Sequence, residues 1–217
     1  MQEEKIQWLL DREEIFDLVR RERHYRDIKN WQSLLESYVP AAPVRTTWFE
    51  GPIEKFVEAS HRKMSAIGAI VSVPKHWIFP TLLEMNGNRA LVESMAAIFD
   101  RLTFDGVEFD IFQYCRFVSR VARTETGWRL ASFEGIYQRD HIRSVNPAEP
   151  PPVDWELVKT FRPSYRFLAY TQLRRGYKVN SELLGDDRPD LVETFYAQER
   201  EWLNGGGAVS RARERDE

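Results

Sequence analysis

The chain has 217 residues, of which 42% are hydrophobic and 30% charged, with a formal net charge of −3 at pH 7. This length supports one well-buried core plus an extension, and the slightly acidic balance excludes the strongly basic surface typical of nucleic-acid partners. The single cysteine, Cys115, excludes an internal disulfide bond and a multi-cysteine zinc site. No apolar run approaches the roughly 20 residues of a membrane span, and the N-terminus lacks a signal-peptide layout. We therefore predict a cytoplasmic protein with no membrane or nucleic-acid partner.

The N-terminal part of the chain predicts helices. Over residues 3–23 the apolar residues recur at spacings of three and four, and the charged residues fall on the other face. Pro40 ends a second, shorter helix, and Gly51-Pro52 is expected to break the only strand of this region. The predicted elements are helices over 3–27, 31–38 and 53–67 and a strand over 44–49.

From His76 onward the pattern changes to that of strands, rich in β-branched and aromatic residues. Asn86-Gly87 and Asp105-Gly106 are hairpin signals, so we predict an antiparallel meander. The predicted strands are 76–85, 89–104, 107–123 and 128–140. Strands of this length in a small protein must curve, and the preceding helices can cover only one face. The result is an α+β fold in which N-terminal helices pack on a strongly curved antiparallel sheet and close a cone with an internal cavity.

A change in composition marks the end of this domain. Four prolines between residues 147 and 152 predict a stiff extended connector. Helical segments follow over about 155–177, interrupted at Pro163, and over 189–203, and a glycine-rich, charged tail is expected to be disordered. We therefore divide the chain into a cone domain, residues 1–146, and a helical C-terminal extension, residues 147–217.

Asp27 and His76 are the first candidates for chemistry. Asp27 ends the first predicted helix and His76 opens an apolar strand, so both side chains could project into the cavity. A carboxylate and an imidazole in an apolar cavity can remove a proton from a carbon acid or return one to a leaving group. The alternatives are structural: Asp27 as a helix cap and His76 as a buried histidine bonded to the backbone.

Three ordered motifs resemble the SnoaL-like proteins of the nuclear transport factor 2-like cone-fold superfamily, over about residues 5–145. They are Asp27 with Trp31 on the first helix, the His76-led strand running into Asn86-Gly87-Asn88-Arg89-Ala90, and the last strand with Gly127-Trp128-Arg129 and Tyr137-Gln138-Arg139-Asp140. That superfamily includes scytalone dehydratases, polyketide cyclases, bile-acid dehydratases, ketosteroid isomerases and a dehydrochlorinase.

The resemblance implies roles for particular residues. Asp27 and His76 correspond to the aspartate and histidine of the dehydratase and dehydrochlorinase dyads. Arg139, or else Arg129, falls where some bile-acid dehydratases place a catalytic arginine. Those dehydratases also carry a tyrosine upstream of the aspartate, whereas Glu22 or Arg23 stands there in this chain, which argues against bile-acid chemistry. The resemblance further implies a homodimer formed through the sheet.

Aromatic and polar residues near these motifs are the candidates for substrate binding. Strand alternation places Phe133, Tyr137 and Arg139 on one face of the last strand, and His24 shares a helix face with Asp27. Glu134 is a secondary polar candidate. The predicted substrate-binding residues are His24, Tyr25, Trp31, Trp48, Trp77, Phe112, Phe133 and Tyr137. The four scattered histidines form no metal-binding pattern.

The sequence thus predicts a cofactor-independent lyase or isomerase that acts on a small apolar, possibly cyclic substrate. In this interpretation Asp27 holds the tautomer of His76, His76 removes the proton, and Arg139 or Tyr137 stabilises the developing oxyanion. Dehydration, cyclisation and double-bond isomerisation all use such groups. Two alternatives stay open: a non-catalytic ligand-binding or assembly protein with a plugged cone, and an assembly subunit resembling the β subunit of ring-hydroxylating oxygenases.

Overall fold

The computed structural model describes residues 1–66 and 74–206. Helices come first, a curved antiparallel sheet follows and further helices end the chain, so the predicted α+β cone is confirmed. The helices are α1 Gln2–Asp27, α2 Trp31–Glu36, α3 Ile53–Ala66, α4 Trp155–Lys159, a 3-10 helix Pro163–Tyr165, α5 Arg166–Arg174 and α6 Pro189–Leu203. The predicted last residue of α3, residue 67, and the predicted tail from residue 207 on lie outside the described residues.

The strands form one open sheet in the order β2-β1-β7-β5-β4-β3, with β6 paired to β5. They are β1 Pro43–Arg45, β2 Glu50–Pro52, β3 Lys75–Asn86, β4 Arg89–Phe104, β5 Val107–Thr124, β6 Gly127–Leu130 and β7 Phe133–Ser144. The tight turn between β4 and β5 holds Asp105 and Gly106 at φ values of 50° and 82°, which is the backbone shape that makes Asp-Gly a hairpin signal.

Two predicted strands differ in the structure. The predicted strand 128–140 is two strands, because the main-chain N–H of Ala131 turns back to donate to the carbonyl of Arg120 at 2.7 Å. The predicted strand 44–49 is correct only over its first two residues, which belong to β1, because residues 46–49 form the loop to β2. Gly51-Pro52, predicted as a break, lies within β2, where the short antiparallel partner of β1 forms.

The sheet has two distinct faces, which alternate along each strand. The inner face, which includes His76, Ile98 and Gln113, contacts α1 and encloses the main core. On α1, Ile15, Phe16 and Val19 pack against the inner face at the other end of the strands. The outer face carries the alternate residues.

The C-terminal extension covers parts of both faces of this sheet. Leu168 and Ala169 of α5 join the inner core cluster, whereas Phe195 and Tyr196 of α6 pack on the outer face against Val118 and Ile136. Buried Glu199 of α6 also binds Arg120 of β5 through two hydrogen bonds of 2.8 Å. Among the described helices, none is both long and apolar enough to cross a membrane.

Candidate active site

Asp27 and His76 are in direct contact in the wall of a cavity under the inner face. Nδ1 of His76 lies 2.6 Å from Oδ1 of Asp27, and the main-chain N–H of His76 donates to Oδ2 of Asp27 at 2.7 Å. Both side chains are buried, with exposed fractions of 6% and 9%. Because both carboxylate oxygens are engaged, the orientation of the imidazole is fixed.

Two arginines of α1 line the same cavity. Arg23 is held by Glu22, with its Nε 2.6 Å from Oε2 of Glu22, and Glu22 in turn accepts a hydrogen bond from the Tyr38 hydroxyl at 2.8 Å. The Arg26 guanidinium donates to the carbonyl of Pro74 at 3.3 Å and lies 3.6 Å from Oδ1 of Asp27. Buried charges are retained only where they are paired, and here Arg23 is paired far more tightly than Arg26.

These charges set the protonation states of the pair. Burial lowers the pKa of His76; the hydrogen bond to Asp27 raises it in part, while Arg26 and Arg23 lower it, and the net result is a pKa below the ordinary value. Burial raises the pKa of Asp27, but the hydrogen bonds from His76 and the charge of Arg26 outweigh this effect and leave it below the ordinary value. At neutral pH the pair is therefore a carboxylate and a neutral imidazole.

The cavity has a volume of about 80 Å³ and mixed walls. The lining includes aromatic and aliphatic side chains: Trp48, Phe56, Ile98, Phe117 and Phe133. It also includes polar side chains: Asp100, Gln113, Thr171, Gln172 and Arg175. This volume excludes a large polycycle, because a cavity of about 150 Å³ holds a single benzene ring.

Several of the predicted site residues meet here. Trp48, Phe133 and Tyr137 line the cavity together with His76. Burial raises the pKa of Tyr137 above its ordinary value, so its phenol stays neutral. Tyr25 and Trp31 pack against the surrounding core cluster without lining the cavity.

Arg139 lies elsewhere, and this corrects its predicted position. Its side chain is exposed and its guanidinium lies 5.2 Å from the ring centroid of Tyr114 on the outer face. The cause is a β-bulge: Tyr114 pairs with Arg139 and the next residue of β5 pairs with Tyr137, so Gln138 is left unpaired. One extra residue reverses the alternation, and Arg139 and Tyr137 therefore point to opposite faces.

Further predicted residues also lie outside the cavity. Trp77 is 59% exposed and Phe112 stacks on His141 at 5.1 Å on the outer face, because each alternates with an inward residue, His76 and Gln113 respectively. His24 is exposed on α1, next in sequence to the buried Arg23. Glu134 does not line the cavity either; burial raises its pKa to about 8 beside Arg45.

Sequence reasoning missed Arg23, Arg26, Gln113 and Gln172. A signal for the two arginines was present: the buried positions of α1 are 15, 16, 19, 22, 23, 26 and 27, which continue one helical face through a charged segment. Continuing that apolar stripe predicts that Arg23 and Arg26 point inward. Gln113 carried a weaker signal, as a polar residue at the inward position between Ile111 and Cys115.

Within residues 1–66 and 74–206, no group of three or more His, Cys, Asp or Glu side chains is placed to hold a metal ion.

Comparisons with known proteins agree with this fold. A SnoaL-like domain model matches residues 7–134. A PEP2-like protein of Fusarium vanettenii is 32% identical over 205 residues, which cover 91% of this chain and 87% of that protein. Pea pathogenicity protein 2 of the same fungus is 30% identical over 205 residues, with 90% and 87% covered.

Solved structures give a wider comparison. A hexachlorocyclohexane dehydrochlorinase (LinA, type 2) superposes with a TM-score of 0.56 at 12% identity, covering 69% of this chain and 99% of that one. A Novosphingobium aromaticivorans protein described as a scytalone dehydratase gives 0.51 at 16% identity, with 65% and 95% covered. At these identities the likeness shows the fold alone. The domain match and the fungal relatives show that this chain belongs to the SnoaL-like family of the nuclear transport factor 2-like superfamily.

Proposed function

We propose that the protein is a cofactor-independent lyase or isomerase, in which His76 removes a proton from a carbon next to a carbonyl or a leaving group of a small, largely apolar cyclic substrate. The observation that carries this proposal is the 2.6 Å contact between Asp27 and His76 in the wall of the cavity. The family supports it in general terms, because its members include dehydratases and isomerases.

The hydrogen bonds of Asp27 define which nitrogen is the base. An ionised carboxylate accepts but cannot donate, so the Nδ1 atom that faces it carries the proton. The lone pair of the neutral ring then belongs to Nε2, on the edge of the imidazole away from Asp27. After proton transfer, Asp27 stabilises the imidazolium, as a carboxylate does in other acid–base pairs.

Arg26 is the better candidate for oxyanion stabilisation, in place of Arg139. Arg23 is charge-compensated by Glu22, whereas among the described residues Arg26 makes one long hydrogen bond to Pro74 and a 3.6 Å contact with Asp27. A guanidinium has five N–H donors, so Arg26 retains donors for an oxygen in the cavity. In a low-dielectric site such a preorganised donor stabilises an enolate strongly.

These groups support a balanced reaction sequence. The C–H bond breaks, the proton moves to Nε2 of His76, and the electron pair moves onto the carbonyl oxygen beside Arg26. The enolate then either expels a leaving group, such as a hydroxyl protonated by His76, or takes the proton back at another carbon. The first outcome is a dehydration and the second a double-bond isomerisation.

Solvent exchange tests proton abstraction without knowledge of the natural substrate. Cyclic ketones such as cyclohexanone are incubated in D₂O with the protein, and loss of the α-proton signals is followed by NMR. We expect exchange above the buffer rate, and His76→Gln and Asp27→Asn should each lower it by about 10²–10⁴-fold. His24→Gln, on the exposed face of α1, is the matched control and should exchange like the wild type.

A specific result would overturn this proposal. If cyclic ketones bind in the cavity but exchange no faster than in buffer, or if His76→Gln exchanges at the wild-type rate, His76 is not the base. The non-catalytic ligand-binding alternative would then be the better account.

A further inference from the structure

The cavity contains two buried carboxamides that the proposed proton transfer does not use. Gln113 of β5 is 1% exposed, and its Nε2 donates to three main-chain carbonyls, those of Tyr114, Arg139 and Ser164, at 3.1–3.2 Å. Because all three partners are acceptors, they fix the amide with nitrogen towards them and Oε1 away. That Oε1 atom is buried and has no hydrogen-bond partner among the described residues.

Gln172 of α5 adds a second buried carboxamide from a separate element. It is 5% exposed, and its Nε2 donates to the Thr47 hydroxyl at 2.6 Å. Its Oε1 is likewise buried and without a hydrogen-bond partner in the part of the chain that the structure describes. A buried acceptor left unsatisfied is costly, so two of them lining one cavity favour a ligand that brings a hydrogen-bond donor.

Sheet register relates this pair to the catalytic candidates. His76 pairs with Ile98, and Ile98 pairs with Gln113, so the three residues form one row across β3, β4 and β5 on the inner face. Neighbouring strands lie about 4.8 Å apart, which puts the Cα atoms of His76 and Gln113 at roughly 10 Å. A ring that lies over Ile98 with one edge at His76 therefore has its opposite edge near Gln113.

We propose that Gln113 and Gln172 form a hydroxyl-binding subsite, the amide subsite, and that the substrate is a cyclic carbonyl compound with a hydroxyl group on the opposite side of the ring. The ring position of the carbonyl, beside Arg26, rests on the proposed function. The presence of a hydroxyl rests only on the two amide oxygens.

The charges of the cavity favour a neutral donor over a cationic one. An ammonium group would also satisfy amide oxygens, but Arg23, Arg26 and Arg175 line the same cavity and repel a cation. Asp100 is already within 3.5 Å of Arg175, so its charge is compensated. A hydroxyl donates to the amide oxygens without this repulsion, and a site with buried polar groups discriminates against analogues that lack the matching group.

Matched ligands test the subsite. The dissociation constants of 4-hydroxycyclohexanone and 4-methylcyclohexanone, which differ by a hydroxyl and a methyl group of similar size, are measured by NMR titration. We expect the wild type to bind the hydroxyl compound at least about tenfold more tightly. A purely apolar cavity, or one in which waters satisfy both amides, would bind the methyl compound as tightly or more tightly, and that result overturns the proposal.

Two variants test whether Gln172 causes the preference for the hydroxyl compound. Gln172→Leu should lose the preference for the hydroxyl compound while retaining affinity for the methyl compound, and Gln32→Leu, on the exposed face of α2, should behave as the wild type. Gln172 carries this test because Gln113 also holds three main-chain carbonyls and its replacement endangers folding. A preference that survives intact in Gln172→Leu places the hydroxyl elsewhere and removes Gln172 from the subsite.

The same titration in His76→Gln separates this proposal from the proposed function. Because His76 lies two strands away from Gln113, the hydroxyl preference should persist in that variant. If the wild type prefers the hydroxyl compound but does not exchange ketone α-protons in D₂O, the proposed function is overturned and the subsite is retained. If it exchanges the α-protons but binds both compounds equally, the function is retained and the subsite is overturned.

Discussion

At the scale of single residues, burial and then the charges of Arg26 and Arg23 on α1 lower the pKa of His76. Arg26 lies beside Asp27 and its own pKa is lowered to about 10, first by burial and then by the charge of Arg23. Asp27, Glu22 and Asp100 offset this lowering only in part, so Arg26 gains by meeting a developing negative charge. The enolate oxygen proposed above supplies such a charge in the transition state.

Arg26→Gln should therefore lower the rate of ketone exchange in D₂O by about 10²–10³-fold, the usual cost of losing an oxyanion donor. Ligand affinity should change far less, because the carbonyl of the ground state carries little charge. Arg139→Gln is the control, since its exposed side chain lies on the outer face. Equal exchange rates for Arg26→Gln and the wild type would assign the oxyanion to another donor.

The lowered pKa of His76 also makes the stability of the protein depend on pH, and the stability rises as the pH rises. Between its folded-state pKa and the ordinary value near 6.5, the unfolded chain binds a proton that the folded protein does not, so stability rises with pH. This contribution is fully present above about pH 6.5 and declines as the pH falls below it. The lowered pKa of Asp27 acts in the same direction, but only in more acidic solution, below about pH 4.

Urea unfolding of the wild type and of His76→Gln at pH 7 and pH 5 measures this dependence. The wild type should lose more of its free energy of unfolding between these pH values than the variant, because the other three histidines are common to both proteins. Identical losses in the two proteins would mean that burial of His76 does not depress its pKa.

At the scale of elements, the predictable and unpredictable parts of the site have different physical origins. Asp27 and His76 could be predicted because helical periodicity and the start of an apolar strand are local patterns. The position of Arg139 could not, because the bulge opposite Tyr114 and Cys115 is set by how β7 pairs with β5, and no residue of β7 marks it locally. Gln172 could not be placed because α5 reaches the cavity only through tertiary packing.

Helix α6 shows the same dependence on a tertiary contact. Arg120 of β5 and Glu199 of α6 are both buried and joined by two hydrogen bonds of 2.8 Å. Glu199→Ala leaves Arg120 without this partner, so the free energy of unfolding should fall by about 3–5 kcal/mol. Asp190→Ala removes an exposed partner of Arg188 at the start of the same helix and should leave the urea midpoint nearly unchanged. Equal midpoints for the two variants would show that α6 is not anchored by Glu199.

At the scale of the whole molecule, residues 1–66 and 74–206 cover only part of the outer sheet face. Helix α6 packs over the end of the sheet that holds Val118 and Ile136, whereas at the β3 side Trp77, Phe79 and Leu82 are 58–64% exposed. An apolar area of this kind on a folded surface marks an interaction site. Edge-to-edge pairing through β3 is disfavoured, because Pro80 and an irregularity between Pro80 and Leu82 interrupt the edge.

We therefore propose that a second copy of the chain covers this half of the outer face and that the protein is a homodimer. In a two-fold dimer the same patch faces itself, so a charge introduced there meets its own copy.

Light scattering after size exclusion should give twice the chain mass for the wild type and a monomer for Trp77→Lys combined with Phe79→Lys. Leu173→Lys, at an exposed apolar position of α5, is the control and should stay dimeric. A monomeric wild type would overturn the dimer outright, and a dimeric double variant would move the interface away from this face. The dissociated variant should keep its ketone exchange, because every residue assigned to the cavity comes from a single chain.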